Sequence, residues 1–329
     1  MDLALLDQTL AAHDEPRFRA GQVWAWAAKG VAGYEQMTNL PSALRATLAR
    51  ELPFSSLTLS EEARSSDGTA KALFQTADGR PIEAVLMRYR DKRRSICVSS
   101  QSGCPLTCTF CATGRMRFAG NLSADEIVDQ ALYFRRSGPV DHAVFMGMGE
   151  PMMNLDAVLE ACTLLPDLGI SHRRTAISTV GWIPGIERLT ASGLSVRLAL
   201  SLHAPEDALR SALMPVNERY PLADVLDACR AHYAARRRTV FIEYVMLAGV
   251  NDRYEQALAL ARLLSPREAF KVNLIPYNPT DSQYAGSGRD AIAAFRAALE
   301  AHGVRVTVRL TRGLEIAAAC GQLAAGAPA

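Results

Sequence analysis

Polar and apolar positions change period along this chain. Up to about residue 55 the apolar residues recur at helical spacing, as in Phe18-Arg19-Ala20-Gly21-Gln22-Val23-Trp24-Ala25-Trp26. Pro41 and Ser42 supply the start signals of another helix there. From residue 56 the helical period gives way to extended segments. The runs 72–76 and 82–87 flank Asp78-Gly79-Arg80-Pro81, which reads as a hairpin. A further strand over 94–99 leads into a cysteine-rich loop. Beyond it, apolar runs at 143–146, 175–179, 196–202, 239–246, 271–275 and 304–309 read as strands. Amphipathic stretches at 124–135, 155–165, 222–235, 254–264 and 290–302 fall before and between them as helices. This alternation predicts an α/β fold, a parallel sheet with helices outside, either doubly wound or a barrel. About six such units are too few for a complete eight-fold barrel.

Length and composition add bounds. A chain of 329 residues with 49% hydrophobic content has room for one large α/β domain and a smaller appendage. Lys and Arg number 36 against 34 Asp and Glu, so bulk charge points to no polyanionic partner and only local clusters could. No window reaches the roughly 18 apolar residues of a membrane span. The start, Met1-Asp2-Leu3-Ala4-Leu5-Leu6-Asp7, lacks the basic and apolar regions of a signal peptide. Seven cysteines without a regular framework fit a reducing, cytoplasmic compartment.

The cysteines carry the chemistry. Cys104-Pro105-Leu106-Thr107-Cys108-Thr109-Phe110-Cys111 presents three thiols at C-x3-C-x2-C spacing. Thiolates are soft ligands for iron–sulfur clusters, copper(I) or zinc. Zinc fingers and ferredoxin-type cubanes use four protein ligands, and this loop supplies three. On a four-iron cluster that leaves one iron open, and an open position is where metal chemistry occurs. A zinc loop completed by a distant His or Cys is the alternative. Gly147-Met148-Gly149-Glu150-Pro151 follows an apolar strand, where ligand sites of such folds lie; it also suits a plain turn. Ser178-Thr179, Ser201-Leu202-His203 and Asn278 add polar residues at other strand ends. Each alone fits a cap or turn, and together they line one rim as a ligand pocket requires.

The triplet spacing, with the aromatic Phe110 before its last cysteine, resembles the signature of the radical S-adenosylmethionine (SAM) superfamily. The resemblance implies a partial (β/α)6 barrel and a [4Fe-4S] cluster held by Cys104, Cys108 and Cys111. SAM would chelate the open iron, and one electron would cleave it to a 5′-deoxyadenosyl radical. Gly149 and Glu150 would contact the methionyl group, and Ser178, Ser201, Leu202, His203 and Asn278 the rest of SAM.

Two further cysteines narrow the resemblance. Cys97 lies seven residues before Cys104, and Cys320 sits in Arg312-Gly313-Leu314-Glu315-Ile316-Ala317-Ala318-Ala319-Cys320-Gly321-Gln322-Leu323. With Glu35-Gln36-Met37-Thr38-Asn39-Leu40, Leu213-Met214-Pro215-Val216-Asn217, Glu243-Tyr244-Val245-Met246-Leu247 and Lys271-Val272-Asn273-Leu274-Ile275-Pro276, they resemble the rRNA/tRNA adenine-C2 methyltransferases of the RlmN/Cfr group over nearly the whole chain. The implied organisation is a helical accessory domain over 1–55, a β-hairpin adaptor over 56–93, the barrel over 94–311 and a reactive tail over 312–329. Direct transfer from a sulfonium to an aromatic C–H carbon is not feasible. The implied route is therefore covalent and uses two SAM per turnover. Cys320 takes a methyl as nucleophile, the second SAM generates a radical on it, and the radical adds to adenine. Cys97 then attacks Cys320 and releases the product, with Glu83 as proton acceptor.

Implied partners are 23S rRNA, at adenine 2503, tRNA, at adenine 37, and an electron donor such as flavodoxin or ferredoxin, with the enzyme a monomer. Arg88, Arg90, Lys92, Arg93 and Arg94, with Arg115 and Arg117, flank the site and suit phosphate contacts. Arg173-Arg174 and Arg236-Arg237-Arg238 form further basic groups. Trp24 and Trp26 read as core residues of a segment suited to RNA shape, and Cys162 and Cys229 as core. The chain departs from the family's G-D-D-I-D-A-A-C-G-Q-L tail, with Leu314, Glu315 and Ala317 at the acidic positions. A C8-methylating relative, a radical SAM enzyme with a non-RNA substrate and a metal-stapled RNA-binding protein are the rival readings.

Overall fold

The Asp78-Gly79 turn opens a four-stranded antiparallel extension of one ten-stranded sheet. The computed structural model describes residues 1–324, so the disordered end expected at 324–329 lies, past Ala324, outside the described residues. The strands are β1 (Leu57–Arg64), β2 (Ala70–Thr76), β3 (Pro81–Arg88), β4 (Arg94–Cys97), β5 (Gln101–Ser102) and β6 (Gly120–Asn121). They continue as β7 (His142–Phe145), β8 (Thr175–Thr179), β9 (Arg197–Ser201), β10 (Val240–Met246), β11 (Phe270–Pro276) and β12 (Val306–Val308). The large sheet runs β1-β2-β3-β4-β7-β8-β9-β10-β11-β12, while β5 and β6 pair separately. From β4 onward every neighbour is parallel, as short crossovers through helices require.

Three helices precede the sheet: α1 (Leu3–Ala12), α2 (Phe18–Lys29) and α3 (Ser42–Glu51). Among the crossover helices are α4 (Ala124–Arg135), α5 (Leu155–Leu164), α6 (Ile183–Ala191), α7 (Asp207–Leu213) and α8 (Leu222–Arg236). Two more, α9 (Tyr254–Leu263) and α10 (Arg289–Ala301), complete the outer layer. Helix α4 starts where a capping box closes: Ser123 Oγ accepts from the Glu126 N–H, and Glu126 Oε2 accepts from the Ser123 N–H. The short α6 and α7 carry too few turns for a periodic signal and were not among the predicted elements.

Period-two alternation sorts the barrel strands into two faces. In β10, Ile242, Tyr244 and Met246 pack under the helices, and Phe241, Glu243 and Val245 line internal cavities. One apolar core runs from Leu6 and Val23 of the N-terminal helices through Ile82 and Ile96 to Phe270 and Phe295. Cys162 and Cys229 lie in it, as expected. Trp24 and Trp26 pack half-buried against it, and their indole N–H groups donate to Asp167 (2.7 Å) and Asn39 (2.5 Å). No helix among the described residues is long and apolar enough to cross a membrane.

Candidate active site

The loop after β7 approaches its neighbours so closely that only glycine fits. A Cβ on Gly149 would lie 2.5 Å from the Cβ of Gln101, and its φ of +94° is in the left-handed region. Glu150 follows. Its N–H donates to Gln101 Oε1 (2.8 Å), and its carboxylate accepts from the N–H groups of Met152 and Val180, both at 3.0 Å. Burial nevertheless pushes its carboxyl up to about 7. A buried carboxylate at a cavity wall favours a cationic ligand, such as an ammonium, that would ionise it fully.

That cavity holds about 160 Å³ and lies at the carboxyl ends of the strands. Gly149, Glu150, Ser178, Ser201, His203, Asn278, Cys111 and Cys320 all line it. Leu202 does not: its side chain is in the core, and its backbone links Glu243 O to Arg210. Ser178 and Ser201 meet through their hydroxyls at 3.3 Å. His203 is held at φ 60°, accepts at Nδ1 from the Val245 N–H (3.0 Å) and rests edge-on to Phe110. That bond leaves its proton on Nε2, and burial pulls its pKa down to about 3, so it stays neutral.

Beside Cys111, the Cys104 and Cys108 thiols lie in one another's field. Burial pushes Cys104 up to about 12 and Cys108 well above the ordinary thiol range. Both therefore need a bound cation to become ligands. Among the described residues no three His, Cys, Asp or Glu side chains converge on one point, as a single ion would require. A cubane does not require it, because each thiolate binds a different iron. A soft three-thiol set, of which Cys111 reaches the cavity wall, fits a [4Fe-4S] cluster.

A second cavity of about 530 Å³ adjoins the first. It is lined by Cys97, Tyr89, Arg93, Phe241, Asn273 and Arg312, and it shares Met146, Arg309 and Cys320 with the first. Cys97 sits at the end of β4, and burial pushes its thiol up to about 12. The tail carrying Cys320 is laced down on both sides. Asn278 Nδ2 donates to Cys320 O (3.1 Å), Ala112 N to Gly321 O (2.8 Å) and Thr113 Oγ1 to Leu323 O (2.6 Å). Glu315, which keeps one of the family's acidic positions, accepts from Ser65 Oγ, Ser66 Oγ and the Ser66 N–H at the β1–β2 turn.

Glu83 is not at either cavity wall. It is buried on β3, pairs with Lys71 (2.9 Å) and accepts from the Ala324 N–H (2.9 Å), so it contacts the tail. Of the basic residues expected at the site, Arg93 lines the outer cavity and stacks on Tyr89 at 4.1 Å. Arg94 instead donates to Ser137 from both terminal nitrogens. Three site residues escaped the sequence reading: Glu243, Arg309 and Arg210. Glu243 had a signal, a lone charge in phase with Phe241 and Val245 on an apolar strand. Arg210 had none.

Glu150 gives a pH test. Its folded value of about 7 exceeds the ordinary 4.5. Its contribution to stability is thus full below about 4.5 and is lost as pH rises to about 7. In the metal-free chain, Glu150→Gln is expected to remove that fall, seen as urea midpoints at successive pH values. Parallel curves for the two proteins between pH 4.5 and 7 would contradict it.

The comparisons agree with this geometry. A family model described as the radical SAM superfamily matches residues 98–261, and one described as the ribosomal RNA large subunit methyltransferase N-terminal domain matches residues 1–52. A probable dual-specificity RNA methyltransferase RlmN from Chloroflexus aurantiacus is 46% identical, covering 98% of this chain and 91% of that protein. Its counterpart from Gemmatimonas aurantiaca is 48% identical, over 98% and 90%. The crystal structure of a radical SAM methyltransferase from Sphaerobacter thermophilus superposes with a TM-score of 0.92 at 44% identity, covering 99% of this chain and 98% of that one.

Proposed function

This chain belongs to the RlmN family of radical SAM RNA methyltransferases, and from that premise we propose that it methylates C2 of adenine 2503 in 23S rRNA and of adenine 37 in tRNA. The observation that carries this reading is Cys320 bordering both cavities, one shared with Cys111 and Glu150 and the other with Cys97. A reaction that first loads the protein and then unloads it onto a base needs such a residue.

Cys104, Cys108 and Cys111 would hold the cluster, and Gly149, Glu150, Ser178, Ser201, His203 and Asn278, with the backbone at Leu202, would hold SAM. When bound, these groups supply a methyl cation and then a hydrogen-abstracting radical, consuming two SAM. The Cys320 thiolate attacks the methyl carbon, forming an S–CH3 bond as the sulfonium C–S bond breaks. The methyl, having lost one hydrogen atom, would bond to adenine C2 and tie the RNA to Cys320, the odd electron of that adduct being returned to the cluster before the C2 proton leaves. The thiolate of Cys97 attacks the Cys320 sulfur, and the electron pair of the broken S–C bond stays with the adenine-bound carbon, which takes a proton. Glu83 would accept the C2 proton. Its contact with the Ala324 N–H couples it to the tail. The outer cavity, with Phe241, Tyr89, Arg93 and Arg312, offers aromatic faces and positive charge to a flipped base and its phosphates.

Mass spectrometry of 23S rRNA and tRNA from cells with and without the gene tests this. Loss of 2-methyladenosine at both positions is expected on deletion. A lost C8 methyl would assign the chain to C8 chemistry, and unchanged RNA would reject the reading.

A further inference from the structure

We propose that Arg309 is a positioning residue for the reactive tail, holding Cys320 as a thiolate against the opposing carboxylate of Glu243. This deepens the methyl-cysteine reading and rests on it. The Arg309 Nη1 lies 3.7 Å from Cys320 Sγ and 3.8 Å from Glu243 Oε2. Both guanidinium terminal nitrogens also donate to Met146 Sδ at 3.4 Å. Arg309 thus stands at the wall common to the two cavities, between a carboxylate and a thiol.

Glu243 is positioned independently. Its side chain is 3% exposed, and its Oε1 accepts from Asn273 Nδ2 at 2.8 Å. Its Oε2 has no hydrogen-bond partner among the described residues. At 3.8 Å from Arg309 the ion pair is loose, so the guanidinium charge is shared between the carboxylate and the sulfur. The charged and titratable groups facing Cys320 are Arg309 just after β12, Glu243 from β10, Cys111 from the cysteine loop and Cys97 from β4. Arg309 is the cation among them.

The cavity walls push the Cys320 thiol above its ordinary range, with Glu243 adding to the rise; Arg309 opposes both. A methyl acceptor must be a thiolate, because the thiol's lone pair is far less nucleophilic. Removing Arg309 or removing the charge of Glu243 therefore moves Cys320 in opposite directions. A purely structural pair gives no such sign reversal, since either change leaves the other partner unpaired.

The test uses the reduced, metal-free chain and iodoacetamide, with carboxymethylation of the Cys320 peptide followed by mass spectrometry across pH. Relative to the parent, Arg309→Met is expected to raise the midpoint of Cys320 alkylation by about one pH unit, a tenfold loss of thiolate below the midpoint. Rates at one pH change only about threefold, because a more basic thiolate is also more nucleophilic, so the midpoint is the readout. Arg309→Lys is expected to restore most of the shift, and Glu243→Gln to lower the midpoint. Circular dichroism establishes that each variant is folded, and Glu243→Gln carries the test if Arg309→Met is not. Unchanged midpoints, or a rise in both variants, would overturn the role of Arg309. If the midpoints shift as expected but the reconstituted parent never gains 14 Da at Cys320 from SAM, the methyl-cysteine reading fails while the electrostatics stand.

Discussion

Cys320→Ala is expected to reduce RNA methylation by about 10³-fold or more, while the reconstituted enzyme continues to cleave SAM to 5′-deoxyadenosine. The argument is geometric. Cys320 borders the cavity lined by Cys111, Glu150 and His203, and also the cavity lined by Cys97. Alanine keeps the fold of the tail, because Asn278 binds the Cys320 carbonyl and Ala112 the Gly321 carbonyl, both backbone atoms. What disappears is the one thiol, among the described residues, that borders both cavities. The two products are counted in one reaction by liquid chromatography and mass spectrometry. Methylated RNA from the alanine variant at a tenth of the parent rate would show that the methyl passes to RNA without this residue.

Arg210→Met is expected to cost about 4 kcal/mol of stability. Arg210 is fully buried on α7. Its guanidinium donates to Leu202 O (3.2 Å), Ser201 O (3.3 Å), Val180 O (2.5 Å) and Asn217 Oδ1 (2.5 Å). Burial lowers its pKa only to about 10, so it is a cation at neutral pH. It bonds the ends of β8 and β9 to the loops that follow them; Ser178 and Ser201 lie at those strand ends and His203 in the loop after β9. Methionine fills the volume but takes the guanidinium from four acceptors, of which Leu202 O keeps the Ala204 N–H at 2.8 Å. Urea unfolding of the metal-free variant measures the loss, and a change under about 1 kcal/mol would show that water or a neighbour replaces the guanidinium. Because the same loops form the cavity rim, weaker SAM binding is expected alongside.

Much of this was legible in the residues. The strands read at 143–146, 175–179 and 239–246 overlap β7, β8 and β10, since apolar runs flanked by helical periods have few other solutions. Gly149 was read as a ligand contact or a turn residue, and its close packing against the Gln101 side chain was not legible. Glu83, in the hairpin run 82–87, was expected as a proton acceptor, but its burial and its contacts with Lys71 and Ala324 depend on where the tail lies, 241 residues away in sequence. Glu315 shows the same limit. As sequence it was the one carboxylate kept of three in an acidic tail, and as structure it pins that tail to Ser65 and Ser66.

By itself, the sequence determined the parallel α/β frame, the three-thiol loop and the family. Those depend on period, spacing and residue type, all local properties of the chain. The meeting of Cys97, Cys320, Arg309 and Glu243 around two adjoining cavities was decided only by tertiary structure. Parallel strands bring residues from distant segments to one rim, and a residue's charge and burial there are set by neighbours that no local pattern encodes.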